Sequence, residues 1–418
     1  MPNPAPDDPL RLAIITMAFP SPSETFVSGR VKSLTEMGVD VRVFSLRPEE
    51  KGAHEMVVAR GITGVKRESN SIGSALRGLF VAVTRPVLTV AYLRWLFAAT
   101  RAKPDTLVRS LALSPRAFDI FRQLSISDVE VVHAEWGHYP ALVLWLVQAR
   151  LKHVATSIAL NAYDLTMEYG GSVEVTRQAD LIRTHTHANI AHIAAFTGVD
   201  PGRVQLVYNG VDVGAFDDVI VGTEKVPGRV VTIARLIPEK RVDLVIHAFA
   251  AGASDVQGAE LRVFGDGPER ARLEDLVKQL GLSDSVGFFG HVDHARVRRE
   301  LAQAEVLMLL SETVDERLPN VVKEGMAARC VCISSRSVGI EELVDHGATG
   351  FVVAYGDLEA ATDALRWALT QREEASRMGA AARVDVGKKF DHYANVRRFL
   401  ELWSTVARTR RRPAAGRK

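Results

Sequence analysis

The feature that most constrains this chain is a rhythm that starts twice. Leu12 to Phe19, LAIITMAF, is a continuous apolar run of strand length; the loop PSPSETFVSGR follows, and then helical spacing at Phe26, Val27, Val31 and Leu34. Gly38 closes that helix, and Val39 to Leu46 alternates as a second strand. The same order restarts at Arg229 with RVVTIARL, a turn, VDLVIHAFA as a helix and AELRVFGDGPE. Strands that alternate with amphipathic helices specify parallel sheets covered on both faces, so the expected class is α/β, doubly wound. With 418 residues the chain exceeds the size at which one core stops growing, and two domains of roughly 200 residues each are expected. The segment 213–228, with three glycines, a proline and several charges, reads as the linker between a first domain, 1–212, and a second that begins at residue 229.

Apolar content of 47% with 24% charged residues fits a globular protein, and a formal net charge of +2 argues against a dedicated nucleic-acid binder. The charge is uneven. Residues 70–125 form a basic, apolar, helix-rich insertion with Arg77, Arg85, Arg94, Arg101 and Arg109 among Leu, Phe, Val and Trp, which either covers the sheet or lies in a membrane interface. Arg408, Arg410, Arg411, Arg412, Arg417 and Lys418 make a basic tail, either solvated or seated on anionic lipid. Arg85, Pro86 and Arg94 interrupt the apolar stretch 79–99, so no spanning helix is expected. The start, MPNPAPDDPLR, lacks the basic and apolar regions of a signal peptide, and the two cysteines, Cys330 and Cys332, fit a reducing compartment. A cytoplasmic location is expected, either free or at the inner face of the membrane.

The chemistry-bearing stretch is 311–334, SETVDERLPNVVKEGMAARCVCISS. Pro319 suits a first helical turn, and Val321, Val322, Met326 and Ala327 supply helical spacing, which places Glu316 in the loop and Glu324 one turn inside. A loop feeding a helix start offers free N–H groups and the positive end of a dipole, which suits a phosphate. Glu324 can then accept hydrogen bonds from ribose hydroxyls, and Glu316 from a sugar beyond the phosphates. Arg235 leaves a strand end and Lys240 follows five residues later, so both can converge on one anion. Gly265, Asp266, Gly267 and Pro268 occupy the next strand end, where glycines let backbone approach a ligand or simply make a tight turn. In the first half, Ser23 and Glu24 either cap a helix or face the cleft; His133, Asn161 and Asp164 fall at strand ends that should share that rim. His185 and His187 lack a third ligand, and no metal is expected.

Taken together these motifs resemble the retaining GT-B glycosyltransferases of family 4, with their E-x7-E motif, here Glu316, Leu318, Pro319, Asn320, Glu324, Met326 and Ala327. A-R-L-I-P-E-K, residues 234–240, resembles the family's G-R-L-x-x-E-K; Asn209 to Asp212 resembles its N-G-V-D; F-P-x-x-S-E-T-F is similar to the opening of its exopolysaccharide-building branch. The resemblance implies two Rossmann-like domains facing across a deep cleft, a nucleotide-sugar domain over 229–391, and a final segment, 392–418, whose helix returns to the first domain. It implies a metal-independent hexosyltransferase that moves a sugar from a UDP- or GDP-linked donor to a glycan or polyprenyl-linked acceptor, with no cofactor. Arg235, Lys240 and Glu316 would be catalytic. Glu324, Gly265, Asp266, Gly267, His291, Val292, Leu318, Pro319 and Asn320 would bind the donor, with the base packed near Gly290 to Val292. Ser23, Glu24, Thr25, His133, Asn161 and Asp164 would line the acceptor side.

The chain also departs from that pattern. Asn161 stands where the family's H-A-Y-D has histidine, and an amide cannot act as a base. Arg241, Arg317 and Arg329 stand where glycine is common, and a changed cap geometry is expected at Arg329. A non-catalytic nucleotide-sugar-binding protein, an epimerase and a sugar phosphorylase are the alternatives.

Overall fold

The computed structural model describes residues 9–21, 24–312 and 316–411. The chain divides into two units: Met1–Tyr208 with Tyr393–Lys418, and Asn209–His392. The first holds a seven-stranded sheet of β1 (Arg11–Thr16), β2 (Asp40–Ser45), β3 (Lys66–Glu68), β4 (Val131–Ala134), β5 (Ala155–Ala159), β6 (Leu181–Thr184) and β7 (Val204–Leu206), in the order β3-β2-β1-β4-β5-β6-β7. The second holds a six-stranded sheet of β8 (Arg229–Ile233), β9 (Glu260–Phe264), β10 (Val286–Phe288), β11 (Val306–Leu309), β12 (Val331–Ser335) and β13 (Phe351–Val353), in the order β10-β9-β8-β11-β12-β13. Every strand pair is parallel. Both sheets are therefore doubly wound, as the rhythm requires, and each reverses its strand order once, between β1 and β4 and between β8 and β11. Loops leaving the carboxyl ends at such a reversal diverge and leave a crevice.

Burial follows the sheets. Ala13, Ile15, Val132 and Ile158 face one side of the first sheet, while Leu12, Ile14, Val131 and Ala155 face the other, where the helix His392–Arg411 supplies Val396, Phe399, Trp403 and Ala407. That final helix thus belongs to the first unit. Two of its tail arginines are engaged there: Arg410 reaches Asp180 at 2.7 Å, and Arg411 pairs with Glu130. For these two residues the tail is paired with the first unit; Arg412, Arg417 and Lys418 lie outside the described residues.

The segment 213–228 is not a free tether. Lys225 is pinned by its ammonium to the carbonyls of Leu301, Ala304 and Ala328, at 3.1, 2.6 and 2.8 Å, and Val226 N–H donates to Gln303 O at 2.8 Å. A lysine that caps helix-terminal carbonyls fixes the segment to the second unit. Residues 70–125 form three helices, Ile72–Thr84, Pro86–Thr100 and Pro104–Ser125. The first two are bent by 105° at Arg85, where proline ends the first helix and starts the second. Among the described residues, no single helix is long and apolar enough to cross a membrane. Cys330 and Cys332 are free, buried thiols.

Candidate active site

The second unit carries most of the expected site residues on one rim, because its carboxyl-end loops are stitched to one another. Leu236 N–H donates to Asp266 O at 2.9 Å, Glu269 N–H to Leu236 O at 3.0 Å, Gly265 N–H to Gly290 O at 2.8 Å and Glu312 N–H to Glu239 O at 2.8 Å. The two glycines explain how the loops come so close. A Cβ on Gly265 would stand 1.8 Å from Ala234 O, and one on Gly267 would stand 2.3 Å from Leu236 O. Their role in the fold is backbone against backbone, which explains both glycines without a ligand. Asp266 is exposed and holds Gly267 N–H and Arg270.

Lys240 and Glu316 meet across this rim: Nζ lies 2.5 Å from Oε1, and Ser311 donates its hydroxyl to Oε2 of the same carboxylate. Arg235 is exposed, and its guanidinium has no partner among the described residues. Leu318 is buried with a left-handed φ of 48°, which turns the chain into the helix Asn320–Ala327. Pro319 is the N-cap residue rather than the first helical residue, and it offers no side-chain oxygen. The N–H groups of Asn320 and Val321 have no acceptor among the described residues, so the helix presents donors and the positive end of its dipole just beyond Glu316 and Lys240.

Glu324, one turn in, is largely buried at 18% side-chain exposure, with His294 Nδ1 3.8 Å away. Burial pushes its carboxyl up to about 7 against the opposing fields of Arg298 and Lys323. A half-neutral carboxyl of this kind both accepts and donates hydrogen bonds to vicinal hydroxyls. His291 is exposed and Val292 half-buried, in the loop that runs from Gly290 into the helix containing His294. Sequence reasoning missed Lys323. It is buried, with its ammonium 2.9 Å from Asn209 O and 3.1 Å from Asn320 Oδ1, and it sits over the Phe390 ring. The signal was present in a lysine at the inward position of an otherwise apolar helical face.

Two of the three arginines at glycine-favoured positions, Arg241 and Arg329, keep the backbone that glycine would have. Arg241 has φ 45° and Arg329 φ 61°. At Arg329 the bonds Arg329 N–H to Met326 O and Cys330 N–H to Gly325 O, at 3.0 and 2.9 Å, form the ordinary Schellman closure. The expected change of cap geometry is not found. Arg241 instead pays its left-handed strain into ion pairs with Asp243 and Glu312.

In the first unit the expected residues separate into two groups. His133 is fully buried within β4 and lies away from any rim: Nδ1 is 2.9 Å from Ser157 Oγ, Nε2 is 3.3 Å from Glu135, and its ring packs 5.1 Å from that of Trp403. Its expected place on the acceptor wall is corrected, because the residue precedes the strand end and points to the face covered by the last helix. Burial lowers its pKa and keeps the imidazole neutral. Glu135 beside it is gripped by Arg30 at 2.6 and 3.0 Å and approached by Arg183 at 3.7 Å, while Phe399 lies between the two guanidiniums at 4.4 and 4.6 Å. Burial alone would raise the Glu135 pKa; Arg30, His133 and Arg183 together hold it well below the carboxylate range.

The other group gathers where β1, β4 and β5 end. Asp164 is fully buried, accepts Asn161 N–H at 2.9 Å and His138 N–H at 3.1 Å, and lies 2.7 Å from His138 Nδ1. Asn161 starts the helix Ala162–Met167, and its Oδ1 is 2.6 Å from His185 Nδ1 while its buried Nδ2 has no bond. Trp136 Nε1 and Glu24 Oε2 are likewise buried without hydrogen bonds. Glu24 makes no side-chain cap bond to the helix Thr25–Glu36 that it precedes, so capping does not explain it. Burial, then the like charge of Glu135, raises its pKa to about 7. Thr25 is half-buried at the helix start, and Ser23 lies outside the described residues. Trp136 and His138 join this group from the loop that follows β4 at the strand-order reversal.

Residues 218–385 match the family described as Glycosyl transferases group 1. The second unit carries a group 1 glycosyl transferase domain. Similarity extends beyond that group 1 domain. The chain is 28% identical over 320 residues to N-acetyl-alpha-D-glucosaminyl L-malate synthase of Bacillus anthracis, covering 71% of this chain and 80% of the other. It is 23% identical over 410 residues to a putative colanic acid biosynthesis glycosyltransferase, WcaL, of Salmonella typhimurium, covering 95% and 100%. Anabaena HepE, solved in complex with UDP, superposes with a TM-score of 0.71 at 15% identity, covering 95% of this chain and 100% of that one. The fold is GT-B: two Rossmann-like parallel-sheet domains, the second of them the group 1 domain.

Proposed function

We propose that the protein is a retaining glycosyltransferase that moves a hexosyl group from a nucleoside-diphosphate sugar to a hydroxyl of a glycan or lipid-linked acceptor, in the synthesis of a cell-surface polysaccharide. The reaction would take place at the cytoplasmic face of a membrane. One observation carries the reading: the Lys240 ammonium is held by Glu316 beside a helix mouth with unclaimed N–H groups. Such a site offsets charge that develops on a departing diphosphate, the largest kind of stabilisation open to a group transfer. Arg235, exposed on the same rim, adds a second cation, so the reading assigns no metal ion. Glu324 holds the ribose, with the base toward Gly290 to Val292. Glu316 and the backbone of Leu318 to Asn320 orient the sugar and the β-phosphate. No protein nucleophile is assigned; the leaving phosphate takes the acceptor proton.

In the first unit, Glu24, Trp136, His138, Asn161 and Asp164 supply hydrogen bonds to hydroxyls, and the unbonded buried atoms among them are matched to such partners. The relatives support the substrate classes. HepE has been solved with UDP and with UDP-glucose, and WcaL is placed in colanic acid biosynthesis by its name.

The test is to incubate the protein with UDP- and GDP-linked hexoses and a polyprenyl-linked saccharide, and to follow nucleoside diphosphate release together with the anomeric configuration of the product by NMR. Acceptor-dependent release with retained configuration is expected. Release without acceptor-linked product, an inverted product, or epimerised donor would refute the reading.

A further inference from the structure

The helices Ile72–Thr84 and Pro86–Thr100 each have one face in the core of the first unit and one face with no protein cover. Leu88, Tyr92, Trp95 and Leu96 are buried, and Gly78 lets the first helix approach the helix Pro104–Ser125 so closely that a Cβ there would stand 1.6 Å from Pro115 O. On the outer faces, Ile72, Leu76, Phe80 and Val83 of the first helix are 83, 61, 70 and 76% exposed, and Val87, Val90 and Phe97 of the second are 74, 56 and 58% exposed. At about 100° per residue each set falls within roughly one quarter to one third of its helix circumference. Two apolar stripes therefore approach the bend, the second interrupted by Arg94, which falls on the same arc as Val87, Val90 and Phe97. Such a patch is far beyond the scattered exposed side chains of an ordinary surface.

The charges that these two helices themselves carry are all of one sign. Between Glu68 and Asp105 the chain has Arg77, Arg85, Arg94, Arg101 and Lys103 and no acidic residue. Arg94 and Arg101 are exposed with no partner among the described residues. Arg85 stacks 5.3 Å from the Phe121 ring, and with Arg150, Val87 and Phe121 it lines a cavity at the bend. Packing of a second copy by this face about a two-fold axis would set these cations against themselves. An anionic bilayer meets both demands, since acyl chains take the apolar stripes and headgroup phosphates take the arginines.

We propose that this two-helix surface seats the protein on anionic phospholipid, lying in the interface rather than spanning it, because each helix has one face committed to the core. The proposal deepens the membrane-face reading given above, and it is tested without donor or acceptor, so its failure is distinguishable from failure of the transfer reaction.

The experiment is flotation of the full chain with vesicles of phosphatidylcholine, with and without phosphatidylglycerol, together with light scattering of the protein alone. Wild type should float with the phosphatidylglycerol vesicles and lose affinity as salt rises. Arg94→Ser with Arg101→Ser should weaken binding by about 30-fold, at roughly fivefold for each basic residue near an anionic surface. Phe80→Ser with Phe97→Ser should abolish flotation while nucleotide binding, read on the second unit, is kept. No flotation of wild type, flotation unchanged in both variants, or a wild-type dimer dissolved by the same substitutions would overturn the proposal, the last assigning the surface to a second copy.

Discussion

Lys240 Nζ lies 2.5 Å from Glu316 Oε1, so the loop after β8 and the segment entering the helix Asn320–Ala327 are joined by one ion pair at the helix mouth. The pair is largely buried, at 12 and 18% exposure, so desolvation offsets much of its attraction and its net contribution to stability is small. Under the proposed function, its electrostatic contribution to a departing diphosphate is larger. Lys240→Ala should lower kcat by about 10²- to 10³-fold, with Tm shifted by only a few degrees. Steady-state kinetics beside a thermal melt checks both halves.

Glu324 gives stability a definite pH slope. Its carboxyl is raised from 4.5 to about 7 in the folded protein, so the folded state holds a proton that the unfolded chain has already released. The neutral form stabilises below pH 4.5, and that contribution is lost as pH rises through about 7. Glu324→Gln, neutral at every pH, should therefore gain on wild type between about pH 5 and pH 8, by up to about 3 kcal/mol. Glu24 carries the same slope in both proteins and cancels. Denaturation of the two proteins at both pH values measures the difference; equal gaps would remove the buried-carboxyl account.

In the first unit, Asp164 fixes the orientation of His138 through the 2.7 Å contact to Nδ1. His138→Ala should reduce kcat/KM for the acceptor by about 10- to 100-fold, the value of one or two hydrogen bonds to or from charged groups, while nucleotide affinity stays at the wild-type value. Asp164→Asn should show part of the same loss. Acceptor titration at saturating donor separates these effects from a general loss of fold.

The buried cluster around Glu135 serves stability instead. Arg30 and Arg183 would be left without their counter-charge in Glu135→Ala, which should cost about 3 to 5 kcal/mol. Chemical denaturation followed by intrinsic tryptophan fluorescence reports mainly on that unit, since Trp95, Trp136, Trp145 and Trp403 lie in it and Trp367 alone lies in the other. A change below about 1 kcal/mol would mean that the charges find water.

The alternation of apolar runs with helical spacing made both sheets legible, because a doubly wound unit writes its period into every element. The rim of the second unit was legible for the same reason, since Arg235, Lys240 and Glu316 follow strand ends by two to seven residues and Glu324 lies one turn into the next helix. His133 was misplaced because the last turn of a strand and the first residue of its loop look alike in sequence, and because Trp403, which covers it, lies 246 residues away from its hydrogen-bond partner Ser157. The segment 213–228 has the composition of a tether, yet Lys225 finds three carbonyls that only the folded helices bring together. Arg329 shows the converse: its position at the end of a helix outweighed its side chain, and the left-handed backbone remained.

The central claim is that the second unit recognises a pyrophosphate through Lys240 and the helix mouth. Calorimetric titration with UDP, GDP and the corresponding nucleosides, on wild type and Lys240→Ala, tests it most directly. The account predicts that one diphosphate binds wild type far more tightly than its nucleoside, and that Lys240→Ala loses about 10- to 100-fold for the diphosphate and nothing for the nucleoside. Equal diphosphate affinity in the two proteins would contradict it.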